Sequence, residues 1–147
     1  MAVATVQRSV FEAKCRDWDI DPWATEFAVE LAFFGAGVRA RAGGLFVWKD
    51  RIEHISYDAS ATLLASAESE QRVTIALRMV SVFAEIPIRD RHRSFVQNVD
   101  RIFSIRAEGE RHTVLLVDHG NRFGAVVRDL LKKTSAFAPS RNSSAPP

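Results

Sequence analysis

Imidazole and thiol groups are the side chains that most readily move protons, attack carbonyls or hold metals, so the four histidines and single cysteine come first. His54, His92, His112 and His119 fall at no spacing with Cys or a carboxylate that makes a metal site, and no His-Glu-x-x-His string is present. No metal is expected. Cys15 stands between Lys14 and Arg16, which would lower a thiol pKa, but it has no assignable base and reads as inert. As the only cysteine it excludes an internal disulfide and fits a reducing compartment. Asp118 and His119 are adjacent, so on an extended chain they point to opposite faces and cannot pair catalytically. Asp17, Asp19, Asp21, Asp50, Asp58 and Asp100 show no spacing that suggests a carboxylate dyad. Gly35-Ala36-Gly37 and Gly43-Gly44 follow a predicted helix and lack Gly-Lys-Ser/Thr, so no nucleotide is expected. The chain reads as non-enzymatic and free of cofactors.

The strongest pattern is Leu115-Leu116-Val117-Asp118-His119-Gly120-Asn121, an apolar run that stops at a turn signal. His112 to Val117 has the branched residues of a strand, and Asp118 to Asn121 offers residues that close a tight bend. Arg101 to Ile105 is a second short strand, and Arg106 to Arg111 forms a loop of several residues centred on Gly109. Phe123 to Val127 returns as a third strand, and Val126 to Lys133 ends in basic residues suited to a short helix C-terminus. The expected unit is a three-stranded meander closed by a helical turn.

This region, roughly residues 95 to 133, resembles the Tudor domain family, in which a strand runs into an acidic residue, an aromatic, Gly and Asn, followed by a Val-rich strand and an Asp-Leu pair. Asp118, Gly120, Asn121 and Asp129-Leu130 stand in place. The resemblance implies a small, strongly bent antiparallel barrel that holds an Arg-rich, including methylated, peptide segment in an aromatic cage. Carried onto this chain, the peptide-binding residues are Phe95, Asn98, Leu116, Asp118, His119, Asn121 and Phe123. The cage is degenerate. Leu116 stands where an aromatic is frequent, His119 replaces the usual Tyr, and Gln97, Asn98 and Val99 precede Arg101 where Trp or Tyr is expected. The partners implied are proteins with Arg-rich segments, Argonaute-clade proteins of the germ-cell small-RNA pathway among them. The implied work is that of an adaptor in a cytoplasmic ribonucleoprotein granule, with a nucleus as the other compartment.

The remaining elements must position that unit. Asp21-Pro22 opens a helix as N-cap and first residue, with Trp23, Phe27, Leu31 and Phe34 on one face until Gly35 and Gly37 end it. Leu45 to Trp48, between Gly43-Gly44 and Lys49-Asp50, reads as a short buried strand, and Ile52 and Ile55 extend it across a bend. Val73, Ala76, Leu77, Val80 and Ala84 fit a helix beginning after Ser66 or Ser69, whereas Val73, Ile75, Leu77 and Met79 fit an alternating strand. Helix is favoured by Glu68 and Glu70 and the Ala and Leu content, followed by a strand near Val80 to Ile88. The organisation expected is an N-terminal segment over 1–20, a helix/strand subdomain over 21–88, a barrel over 89–133 and a disordered Ser/Ala/Pro-rich tail over 134–147. The fold class is mainly β with flanking helices.

With 147 residues, 47% of them hydrophobic, and a net charge of +2, the chain can bury one core and exerts no strong overall field on nucleic acid or anionic membranes. No run approaches the roughly 18 apolar residues of a spanning helix. A second function class is a small RNA-binding barrel. Arg89, Arg91, Arg93 and Arg101, with Phe95 and Phe103 interleaved, gather positive charge and stacking faces in one region.

Overall fold

The computed structural model describes residues 8–35, 41–56, 71–88, 99–117 and 121–135. Seven strands follow an N-terminal helix and precede a C-terminal one. They are α1 (Arg8–Asp17), β1 (Phe27–Gly35), β2 (Arg41–Val47), β3 (Arg51–Ser56), β4 (Arg72–Ala76), β5 (Val80–Ile86), β6 (Arg101–Ala107), β7 (Glu110–Leu116) and α2 (Arg122–Ser135). All pairings are antiparallel, and the strand order is β4-β3-β2-β1-β7-β6-β5. The protein is mainly β with two helices, the class expected. The sheet is open, with β4 and β5 at its edges, yet a single 3-10 turn at Leu77–Met79 joins those edges at one corner. Because β1 pairs with β7 as well as β2, the expected subdomain and barrel share one sheet.

The sheet bends around one core to which every strand and α2 contribute, and Phe123 lies at its centre. Its ring meets Phe27 of β1, Phe83 of β5 and Phe103 of β6 at centroid distances of 5.5, 5.9 and 5.1 Å. Phe83 in turn stacks on Phe103 at 5.2 Å. The outer faces are covered too. Phe11 and Cys15, one helical turn apart on α1, pack on Phe46 and Ile55, while Ile102 and Leu115 gather Phe33, Ile86, Ile88 and Val99. No helix among the described residues is long and apolar enough to cross a membrane.

Several expectations are corrected. Asp21 does accept from the Trp23 N–H at 3.0 Å, but the helix it opens is a single 3-10 turn, Pro22–Ala24, and the helix expected through Phe34 is the strand β1. The reason is a β-bulge. Val29 faces Leu45 while Ala32 faces Gly43, so β1 carries one residue more than β2 and its inner face passes from Phe27 and Val29 to Ala32 and Phe34. That break in alternation makes Phe27, Leu31 and Phe34 mimic a helical spacing, and burial from both sides makes the run nearly all apolar. Residues 72 to 86 form two strands about a 3-10 turn, so the alternating reading holds for Val73 and Ile75, Leu77 and Met79 lie in the turn, and the helical reading fails. The third strand expected from Phe123 to Val127 is the first part of α2, whose Phe123, Val127 and Leu130 fall on one buried face. The hairpin around Gly109 is present with a shorter loop, since Glu108 (φ 53) and Gly109 (φ 82) form a two-residue turn that matches the strand twist. α1 lies in the N-terminal segment, for which no helix was expected, and α2 extends to Ser135, while residues 136–147 of the expected tail lie outside the described residues.

Truncating Phe123 to Ala removes the ring shared by three strands, and urea denaturation should show a loss of about 3 to 5 kcal/mol. Burial pushes the Cys15 thiol up to about 11, with smaller contributions from Glu12 and Asp21, against the lowering its basic sequence neighbours suggest. Native protein should therefore react with a thiol reagent at neutral pH far more slowly than the urea-unfolded chain, and equal rates would contradict the packing of α1.

Candidate functional site

The two ends of the bent sheet differ. α2 packs against β1 and the Leu77–Met79 turn at one end. At the other, the inner face holds a cavity of about 540 Å³ lined by Phe34, Gly35, Arg41, His54, Ser56, Gln71, Val73, Glu110, Arg111 and His112. These residues come from the end of β1, the start of β2, the end of β3, the approach to β4 and the start of β7. Antiparallel pairing sets those termini side by side.

The floor is built around His54. The ring is buried, at 2% exposure, and its Nε2 lies 3.0 Å from the Ala32 carbonyl oxygen, two strands away. A carbonyl only accepts, so Nε2 carries the proton and donates. This reach requires Gly43 on the intervening β2. A Cβ there would strike the Ile55 carbonyl oxygen and stand 2.7 Å from His54 Cε1. Phe34 stacks on His54 at 5.1 Å and on His112 at 5.5 Å. The two imidazoles come from strands on opposite sides of β1, so both faces of Phe34 are occupied. Ser56 Oγ accepts the Gln71 N–H at 2.8 Å, which leaves the hydroxyl proton to be donated elsewhere. At the rim, Glu110 Oε1 lies 3.8 Å from His112 Nε2.

Those residues singled out in the sequence for peptide or RNA binding that are described do not line the cavity. Leu116 is buried on the inner face of β7, and Phe123 fills the core under α2, so neither presents a surface to a ligand. Asn121 stands in left-handed conformation (φ 57) at the entry to α2, and its Oδ1 is buried without a hydrogen-bond partner. A Cβ on Gly124 would come 2.5 Å from that oxygen, so the two residues are fitted to each other at the helix start. Phe95, Asn98, Asp118 and His119 lie outside the described residues. Of the arginines proposed for RNA, Arg101 forms a 2.8 Å ion pair with Glu85, and Arg89, Arg91 and Arg93 lie outside the described residues.

The cavity was missed because its members are spread over some 80 positions, from Phe34 to His112. Two local signals were present. His54 shares strand parity with the core residue Ile52, a polar residue in an apolar column, and Gly43-Gly44 lies inside β2 instead of before it.

Compared with known proteins, the chain matches no family model, and no curated protein matches it.

Burial drives the His54 pKa down from 6.5 to about 4, with the Ala32 bond acting weakly in the opposite sense. The unfolded chain thus binds a proton between those values that the folded one excludes. Stability from this site is complete above about pH 6.5 and declines as pH falls toward 4, by about 3 kcal/mol in all. Urea denaturation of wild type and His54→Phe at a series of pH values should show the two curves converging below pH 6. Parallel curves would contradict the buried neutral ring.

Proposed function

We propose that the protein is a non-enzymatic binding module that takes the anionic group of a small ligand into the cavity opposite α2. The observation that carries this reading is the charge of the lining. Arg41, Arg111, Ser56 and Gln71 supply donors, the acidic residue Glu110 sits at the rim, and the volume is that of a small-molecule site. Arginine is the side chain best suited to planar anionic groups, and a partly water-excluded cavity strengthens its hydrogen bonds. His54 is turned to the backbone, an arrangement that suits holding a ligand more than transforming it.

The Tudor-type reading, an adaptor for an Arg-rich segment, shares the non-enzymatic role and differs in the charge of the ligand. Its barrel is supported by the bend that joins β4 to β5 at Leu77–Met79. An arginine entering the cavity, however, would meet Arg41 and Arg111 and find both faces of Phe34 covered.

The test is titration of the full chain with inorganic phosphate at low ionic strength. Binding should weaken as chloride is added, and Arg111→Gln should lower affinity about tenfold, the worth of one charge-assisted hydrogen bond. p-Nitrophenyl phosphate should compete without being hydrolysed. Unchanged binding in both Arg111→Gln and Arg41→Gln would defeat the assignment, and so would turnover of the competitor.

A further inference from the structure

We infer that His54 makes this cavity selective for an oxyanion that still carries a proton, a free phosphate monoester in preference to a sulfate. The inference rests on reading the cavity as an anion site and adds a direction to one of its hydrogen bonds. With Nε2 committed as donor to the Ala32 carbonyl, the other ring nitrogen, Nδ1, is left as a bare lone pair. His54 lines the cavity, and Nδ1 is the ring nitrogen not spent on the Ala32 carbonyl.

The tautomer is held mechanically. Gly43 admits the ring, Phe34 stacks on it, and the Ala32 carbonyl at the end of the β1 bulge receives its proton. Moving the proton to Nδ1, so as to present N–H from that nitrogen, would set the bare Nε2 lone pair against the Ala32 carbonyl, a cost of about 1 to 3 kcal/mol. Burial also keeps the ring neutral across the physiological range, so Nδ1 stays an acceptor. Of the other polar side chains lining the cavity, Arg41 and Arg111 can only donate, Ser56 and Gln71 can do both, and Glu110 lies beside His112 at the rim.

A fully ionised sulfate offers acceptors alone, and one of its oxygens would oppose the Nδ1 lone pair. A phosphate monoester, with a second pKa near 6, retains an O–H that Nδ1 accepts. Sites with a fixed hydrogen-bonding partner for a hydroxyl reject analogues lacking it far more strongly than apolar pockets reject a change of size. The volume is that of a small-molecule site, so the phosphate is assigned to a free metabolite-sized ester, and a modified protein side chain is the alternative the test separates.

The test uses the full chain labelled with ¹⁵N in its histidines, at pH 6 and constant ionic strength. Inorganic phosphate, sulfate, glycerol phosphate and a phosphoserine peptide are titrated in turn, and the ring nitrogens of His54 are followed. Phosphate and glycerol phosphate should bind at least about tenfold more tightly than sulfate, moving the Nδ1 resonance toward its hydrogen-bonded position while Nε2 stays fixed. The His54→Gln and His54→Phe variants should lose the preference. Equal binding of phosphate and sulfate, with both weakened in Arg111→Gln, would overturn the role of His54 and leave the anion site standing. No binding of either anion would remove both readings. Tighter binding of the phosphopeptide than of glycerol phosphate would overturn the assignment to a small ester. The wild-type comparison decides the matter even where the His54 variants fail to fold.

Discussion

The packing of Phe123 is the contact on which the rest of the molecule depends. A seven-stranded open sheet has two inner half-faces, and neither is buried until the sheet bends and something fills the space enclosed. Phe123 reaches β1, β5 and β6 from α2, so one ring ties the middle of the strand order and its β5 edge to the helix. The aromatic partners contribute about 0.5 to 1.5 kcal/mol per pair beyond the area they bury. Because α2 occupies that end, the opposite end is left as the place where strand termini can enclose a polar cavity.

At that open end the decisive constraint is the missing side chain at Gly43. Without it the imidazole of His54 could not cross β2, and the bond to Ala32 two strands away would be lost. The bulge in β1 and the glycine in β2 are therefore one device. Together they admit a polar ring to the inner face and fix which nitrogen meets the backbone. Glu53, the next buried polar residue on β3, faces the other side of the sheet, where Arg72 lies 3.5 Å from its carboxylate. Alternation on a single strand thus separates a neutral hydrogen-bonding group from a paired charge.

The parts of the fold that could be read locally are those whose signals are local. The β6–β7 hairpin follows from branched residues on both sides of Glu108-Gly109, and the Asp21 cap follows from a side chain two residues from its donor. The β4 strand was ambiguous because Val73 to Val80 satisfies both periods, and pairing with β3 decided between them, whereas β5 lies within the strand expected near Val80 to Ile88. β1 was misread for the same kind of reason, its bulge having replaced a clean alternation with helical spacing. Phe123 and Asn121 were singled out in a turn-and-strand context, but the helix they enter carries one to the core and the other to the helix start.

By itself the sequence determined that the chain is mainly β, that it holds a tight hairpin near Gly109, and that no disulfide forms within it. These follow from residue type and short spacings, which fix backbone preference wherever the chain goes. Only the tertiary structure decided which residues share a cavity, that Leu116 and Phe123 belong to the core, and that His54 bonds to a carbonyl two strands away. Those outcomes depend on strands far apart in sequence lying side by side, on one bulge shifting the register of a face, and on one glycine leaving room for a ring.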